Sequence, residues 1–260
     1  MESRTDRSLG AVGVDAVALK PTEADLSRVD LLEVDLVTVD YEGREHVPDA
    51  ETLSDLARER EVRLTTPVRA DGYDPVGDDS LLAAVPEGVG RVAVAGHPAY
   101  LDDDERSRAV APRLREAVER AADPWVGTEG VERVALAVGG TQYELLGPTT
   151  ERDVRALRAA GFEGGVAVYA PLVLSEDADA VLDGVGGYAA RRGPVRQVLP
   201  ENCPTDSTVE GPERRRLLDA CRDYALVGEV ERVRERVRGL REAGVDRVVA
   251  YPARGLDAVA

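Results

Sequence analysis

Short Val- and Ala-rich runs ending in a polar or glycine residue recur along the chain, each followed by a helix-patterned stretch, and this alternation narrows the fold more than any other feature. The runs are VDAVALK at 14–20, VDLVTVD at 34–40, VRLTTPV at 62–68, RVAVAG at 91–96, RVALAVGG at 133–140, GVAVYAP at 165–171 and DRVVAYP at 246–252. Continuous apolar runs of this length predict parallel strands buried on both faces. Apolar residues at helical spacing predict helices over 49–59, 102–122, 150–160, 175–192 and 229–243. Thr150 and Ser175, each followed by acidic residues, predict helix starts, and Gly161 and Gly244 predict left-handed helix stops.

Strand and helix alternating seven times leave two architectures, an open doubly wound sheet or a closed barrel. The count favours an α/β (βα)8 TIM-barrel-like fold, and no GxGxxG follows the first strand to favour a dinucleotide-binding sheet. The eighth strand is open between VRQVL at 195–199 and YALVG at 224–228, so a complete ring and an incomplete or degenerate one are both compatible. The 260 residues fit one barrel domain, with a flexible N-terminus expected over 1–12. Two stretches, 71–90 and 200–212, are rich in turn-forming residues and read as loop excursions.

Charge excludes some partners. With 50 acidic against 33 basic residues the net charge is -17, and no segregated basic patch offsets it, so a nucleic-acid partner is not expected. Of the 33 basic residues 32 are Arg and one, Lys20, is Lys, while Asn202 is the single Asn and Ile is absent. That pattern, with the acid excess, fits a GC-rich, salt-accumulating halophile, in whose cytoplasm a Debye length of about 3 Å at molar salt screens the self-repulsion. No 18-residue apolar run and no apolar leader are present, so a cytoplasmic protein without a membrane partner is expected. Cys203 and Cys221 form no CxxC pair, and two His residues are too few for a His-rich metal centre.

In a barrel, chemistry belongs at the C-terminal ends of the strands. Lys20 is the sharpest candidate there, a lysine kept where every other basic position is Arg. Its ammonium can be desolvated and act as acid, base or imine-forming nucleophile, which a guanidinium cannot. Chance survival, or an ion pair with Asp40 from the adjacent strand, is the plainer alternative. His97 in AGHPAY reads as a proton donor or a ring packed on a cofactor, or as a hydrogen-bonded structural residue. Gly139, Gly140 and Thr141 can offer backbone N–H groups to a phosphate, or simply form a turn. Asp40, Tyr41, Thr65, Tyr169 and Asn202 make up the candidate substrate-binding set, although Asn202, between prolines, also suits an Asx-turn. Asp40 and Glu42 stand at the end of the second run outside any metal-ligating motif, so no metal site is expected from them.

The C-terminal half runs VAVYAPLVLSEDADAVLDGVGGYAARRGPV, a variable excursion, then YALVGEVERVRERVRGLREAGVDRVVAYPARG. It resembles the bacterial luciferase-like superfamily, flavin- or deazaflavin-dependent TIM barrels that include methylenetetrahydromethanopterin reductase. The likeness rests on an acidic helix start after a strand, the hydrophobic-Gly turn at 226–228, the Arg/Glu-rich helix and the AGVD corner at 243–246, and it covers roughly residues 133–255. It implies an FMN or deazaflavin cofactor at the C-terminal face, with Gly139, Gly140 and Thr141 as phosphate cup. Hydride transfer to or from a small-molecule substrate would then be the reaction. A lyase or aldolase working through an imine at Lys20 and a non-catalytic barrel are the alternatives, and a homodimer is compatible with either.

Overall fold

The computed structural model describes residues 8–259. Nine parallel strands form one sheet: β1 (Ala16–Leu19), β2 (Leu36–Val39), β3 (Glu61–Pro67), β4 (Val89–Val94), β5 (Trp125–Gly127), β6 (Thr141–Leu145), β7 (Val166–Val173), β8 (Leu226–Val227) and β9 (Arg247–Pro252). Eight of them close a ring, β1 to β7 in order and then β9, which pairs with both β7 and β1. The short β8 sits on the rim: Leu172 pairs with Pro252 on one side and with Leu226 on the other, above the point where β6 stops pairing at Leu145 and Tyr169.

Between the strands lie α1 (Ala50–Leu56), α2 (Asp103–Ser107), α3 (Val110–Glu119), α4 (Glu132–Val138), α5 (Thr150–Ala159), α6 (Ala178–Val181), α7 (Gly187–Ala190), α8 (Gly193–Arg196), α9 (Gly211–Tyr224) and α10 (Val230–Ala243). A π-helical turn, Leu182–Gly186, joins α6 to α7. The first turns of α1, α2 and α6 are capped by the carboxylates of Asp49, Asp102 and Asp177, which accept the free backbone N–H groups there. Asp177 thus takes the role expected of Ser175, and Thr150 lies inside its helix, its hydroxyl accepting from Gly147 N at 2.9 Å. Gly244 ends α10 in the left-handed region at φ +108°.

The topology corrects three readings of the sequence. RVALAVGG is not a strand, because Glu132–Val138 is helix α4, with Ala135 buried and Leu136 44% exposed. A barrel strand there would be covered on both faces, whereas a surface helix leaves half of an apolar run in solvent. Neither eighth-strand candidate closes the ring: 195–199 overlaps α8, and 224–228 supplies only the rim strand β8. Two strands complete it: Trp125–Gly127, three buried residues and too short to show a period, and Thr141–Leu145, a mixed polar stretch that is only partly buried. Of the N-terminal stretch expected to be flexible, residues 1–7 lie outside the described residues, but Leu9 and Val12 are buried in the core and Arg234 Nε donates to Ala11 O at 2.7 Å.

Two shells of apolar side chains follow from the period of two along each strand. Val17, Leu19, Val37, Val39, Leu64, Val168 and Val248 point outward and pack beneath the helices, against Val233, Val237 and Leu240 of α10 among others. Ala16, Ala18, Leu36, Val92, Trp125, Tyr143, Ala167, Tyr169 and Val249 fill the barrel. Small residues on β1 face rings from β5, β6 and β7, so the interior is plugged rather than hollow. The lower end is closed by Arg63, 4% exposed, whose guanidinium lies 4.3 Å over the Trp125 ring and donates to Glu61 at 2.5 Å. The AGVD corner closes the same end: Asp246 accepts from Val166 N at 2.8 Å and from Arg158 at 2.7 Å, tying α5, α10 and β7 together.

Candidate active site at the mouth of the barrel

The same alternation carries Ala18 to Lys20, Thr38 to Asp40 and Val249 to Tyr251, placing these three polar residues where the inward face of the wall reaches its C-terminal end. Asp40 N donates to Leu19 O at 2.8 Å, so Lys20 and Asp40 leave adjacent strands side by side. Lys20 Nζ is 4.2 Å from the centre of the Tyr251 ring and 3.1 Å from Glu23 Oε1. The Tyr251 hydroxyl donates to the other oxygen of Glu23, and its ring stacks on Tyr169, 6.3 Å between centres and 10° between planes.

Asp40 is the electrostatic centre of this group. Loss of water raises its carboxyl to about 7; the nearby Lys20 opposes the shift, and the negative charges of Glu42 and Glu23 add to it. The carboxyl therefore exchanges its proton near neutrality, as a general acid or base must. Below it, burial pushes the phenols of Tyr143 and Tyr169 well above their usual range, so both are held as neutral hydroxyls. Tyr143 shares a 3.3 Å hydrogen bond with Thr38 and stands between Trp125 and Tyr169, at 5.8 and 6.2 Å. These rings close the barrel below the mouth.

Two neighbouring clusters frame the mouth. Tyr41 packs edge-on against Tyr73 and Tyr100, and Tyr100, whose phenol is raised first by burial and then by Glu42 and Asp40, lies 5.8 Å from the His97 ring. On the other side, the helix after β7 sets Tyr188 against the interior cluster, 6.4 Å from Tyr169. Arg192 covers the Tyr188 ring at 4.1 Å and pairs with Glu129, from the loop after β5, at 3.0 Å. Of three buried side-chain polar atoms without a hydrogen-bond partner among the described residues, two are here, Tyr188 Oη and Arg192 Nε.

The remaining sequence candidates fall in different places. Thr65 is buried in the wall, where its hydroxyl accepts from Tyr41 N at 2.6 Å and locks β3 to the end of β2. Tyr169 is part of the floor. His97 is exposed on the rim and caps a short turn, its Nδ1 accepting from Ala99 N at 3.1 Å. Gly139, Gly140 and Thr141 are displaced furthest: the glycines precede β6 and Thr141 opens it, so all three stand at the N-terminal end of the barrel, opposite Lys20, and form no phosphate cup at the mouth. Their job is a tight turn from α4 into β6. Gly140 adopts φ +78° against the carbonyl of Pro124, and Gln142 Nε2 donates to the carbonyls of Ala135, Gly139 and Gly140. Asn202 is exposed on the excursion, in an open groove lined by Pro200, Cys203, Val209 and Glu213, and is not among the groups acting on Asp40.

Glu23, Tyr100, Tyr188 and Arg192 belong to the mouth and escaped the sequence reading. They sit on loops and on an irregular helix, beyond strand-end positions, and only Glu23, three residues after Lys20, had a local signal. Cys203 and Cys221 are free thiols, and burial pushes Cys221 up to about 12, which makes it unreactive at neutral pH. Among the described residues no cluster of His, Cys, Asp and Glu could hold a metal ion, and no helix is long and apolar enough to cross a membrane.

Solved structures with the same architecture place this mouth in context. An F420-dependent secondary alcohol dehydrogenase, determined with an F420-acetone adduct, superposes with a TM-score of 0.60 over 94% of this chain and 95% of its own, at 12% identity. The coenzyme F420 dependent tetrahydromethanopterin reductase from Methanopyrus kandleri gives 0.63 over 94% of each chain, at 14% identity. What is shared is the fold, a (βα)8 barrel, and it extends through the N-terminal half, beyond the segment where the sequence resemblance was legible. No curated protein matches the sequence. A model described as a family of unknown function (DUF7388) matches residues 9–259, and the chain, a closed (βα)8 barrel, belongs to that family.

Proposed function

We propose that the protein is an oxidoreductase that binds a deazaflavin at the C-terminal mouth and exchanges hydride with a small alcohol or carbonyl compound. The observation that carries this reading is the placement of Lys20 and Asp40 side by side at adjacent strand ends of the mouth, where burial raises the Asp40 carboxyl to about 7 against the opposing pull of Lys20. The fold, shared with two F420-dependent enzymes, supports it.

The donor set fits such a cofactor in kind: Lys20 and the protonated form of Asp40 would offer hydrogen bonds to the carbonyl oxygens of a flat, electron-poor ring, and Arg191, exposed and close enough to act on Tyr100, would suit an anionic tail. When bound, a deazaflavin supplies or accepts the hydride. The protein's own part is proton handling. Asp40 takes the proton of a substrate hydroxyl during oxidation and returns it during reduction, while Lys20 steadies the negative charge that gathers on the substrate oxygen. Glu23 holds Lys20 in place, and the tyrosine floor keeps water from below. An imine at Lys20 draws no support from this arrangement, because Nζ is engaged by Glu23 and by the Tyr251 face.

The test is a pH profile of deazaflavin-linked alcohol oxidation. Wild type is expected to show an inflection near 7, and Asp40→Asn to lose it together with about two orders of magnitude in kcat while still binding the cofactor. An unchanged profile in Asp40→Asn would remove the carboxyl from the reaction.

A further inference from the structure

We propose that Tyr188 and Arg192 form a carboxylate-binding subsite beside the mouth, so that the small substrate carries an acid group, as a 2-oxo or 2-hydroxy acid does. This rests on the mouth being the place of reaction, as argued above, but the subsite is defined by its own atoms. Tyr188 Oη and Arg192 Nε are both buried and neither reaches full hydrogen-bond geometry, although Arg192 lies close enough to the Tyr188 hydroxyl to pull its pKa down against the effect of burial. A buried donor without an acceptor costs about 1–3 kcal/mol, so two together mark a place where an acceptor is missing.

The chemistry of that acceptor is narrow. Both groups donate: burial raises the Tyr188 phenol to about 12, which keeps its proton, and a guanidinium has no acceptor. The Arg192 side chain is only 15% exposed, sandwiched between the rings of Tyr188 at 4.1 Å and Tyr224 at 6.0 Å, so its Nε cannot turn out to water. One carboxylate already uses this guanidinium. Glu129, 63% exposed, accepts from Nη1 at 3.0 Å and is free to swing away when a ligand arrives. Glu23, Asp40, Glu42 and Glu129 make the surroundings acidic. A dianionic phosphate is repelled twice as strongly there as a monoanionic carboxylate, and two donors match the two oxygens of the latter.

The position is set by the π-helical turn before α7, since π-turns inside helices recur at functional sites. Tyr188 packs on Tyr169, and Tyr169 stacks on Tyr251 under Lys20, so the subsite and the strand-end residues border one continuous floor of rings.

The experiment is ligand-observed NMR in molar KCl with no cofactor present, using pyruvate, acetone and inorganic phosphate as probes. Pyruvate is expected to bind saturably and at least tenfold more tightly than acetone, with phosphate weaker than pyruvate. Arg192→Gln should weaken pyruvate tenfold or more and Tyr188→Phe threefold to tenfold, with acetone unaffected. Glu129→Gln, on the exposed rim and harmless to folding, should tighten pyruvate twofold to fivefold by removing the competing carboxylate. Equal binding of pyruvate and acetone, stronger binding of phosphate, or no response to Glu129→Gln would overturn the assignment and leave an ordered water as the partner of both atoms. Because no cofactor or turnover enters the measurement, the subsite and the redox reading stand or fall separately.

Discussion

Asp40 shows how one residue's surroundings convert a common side chain into a chemical tool, and the conversion has a cost in stability. Its carboxyl is raised to about 7 in the folded chain against an ordinary value of 3.8, so between those two pH values the folded state binds a proton that the unfolded state has released. Stability from this group is therefore full below about pH 4 and lost progressively as pH rises towards 7. Asp40→Asn removes the penalty: in denaturant unfolding at pH 8 it is expected to be more stable than wild type by about 2 kcal/mol. That is half of the ~4 kcal/mol the whole shift would carry, because the carboxyl keeps some solvent contact. The two proteins should match at pH 4. A variant less stable than wild type at pH 8 would mean that Asp40 is a structural partner of Lys20 and not a strained acid. Lys20 itself was legible from composition, as the one lysine where arginine is the rule. Its partner Glu23 and its ring contact with Tyr251 were not, because both depend on loops and on a strand 231 residues away.

At the scale of elements, the chain was readable wherever burial is two-sided and unreadable where it is not. Six of the seven Val-rich runs are barrel strands, since only a strand covered by both the interior and the helix layer needs apolar residues at every position. RVALAVGG has the same composition but forms the one-sided helix α4, and that single misreading carried Gly139, Gly140 and Thr141 to the wrong end of the barrel. The helix that follows β7 was foreseen over 175–192, yet its π-turn was not, although the turn is what aims Tyr188 at the mouth. Gly186 within it has no room for a side chain, because a Cβ there would run into the carbonyl of Thr205. Gly186→Ala is expected to lower thermal stability by about 2–3 kcal/mol, with the excursion at 200–210 pushed off the helix. Gly193→Ala, where nothing lies in the way, should be neutral, and calorimetry of the pair checks the contrast. Equal melting temperatures would show that the excursion yields without cost and does not fix Tyr188.

For the whole molecule, the acidic composition and the barrel speak to different questions. The net charge of -17 concerns the solvent in which the protein stays dissolved, and in molar salt its self-repulsion is screened within about 3 Å. The barrel concerns where chemistry can take place: the interior below the mouth is filled by side chains, so the proposed cofactor and substrate would meet on the C-terminal rim, over Lys20, Asp40 and Tyr251. Fold alone does not decide function, and the reading as a redox enzyme depends on that rim accepting a deazaflavin. Titration of the purified protein with coenzyme F420 in molar KCl, followed by absorbance and fluorescence with FMN in parallel, measures this directly. Saturable F420 binding with a Kd on the order of micromolar is expected, with FMN weaker. Binding of neither, at concentrations a hundredfold above that range, would contradict the assignment of the mouth as a redox site.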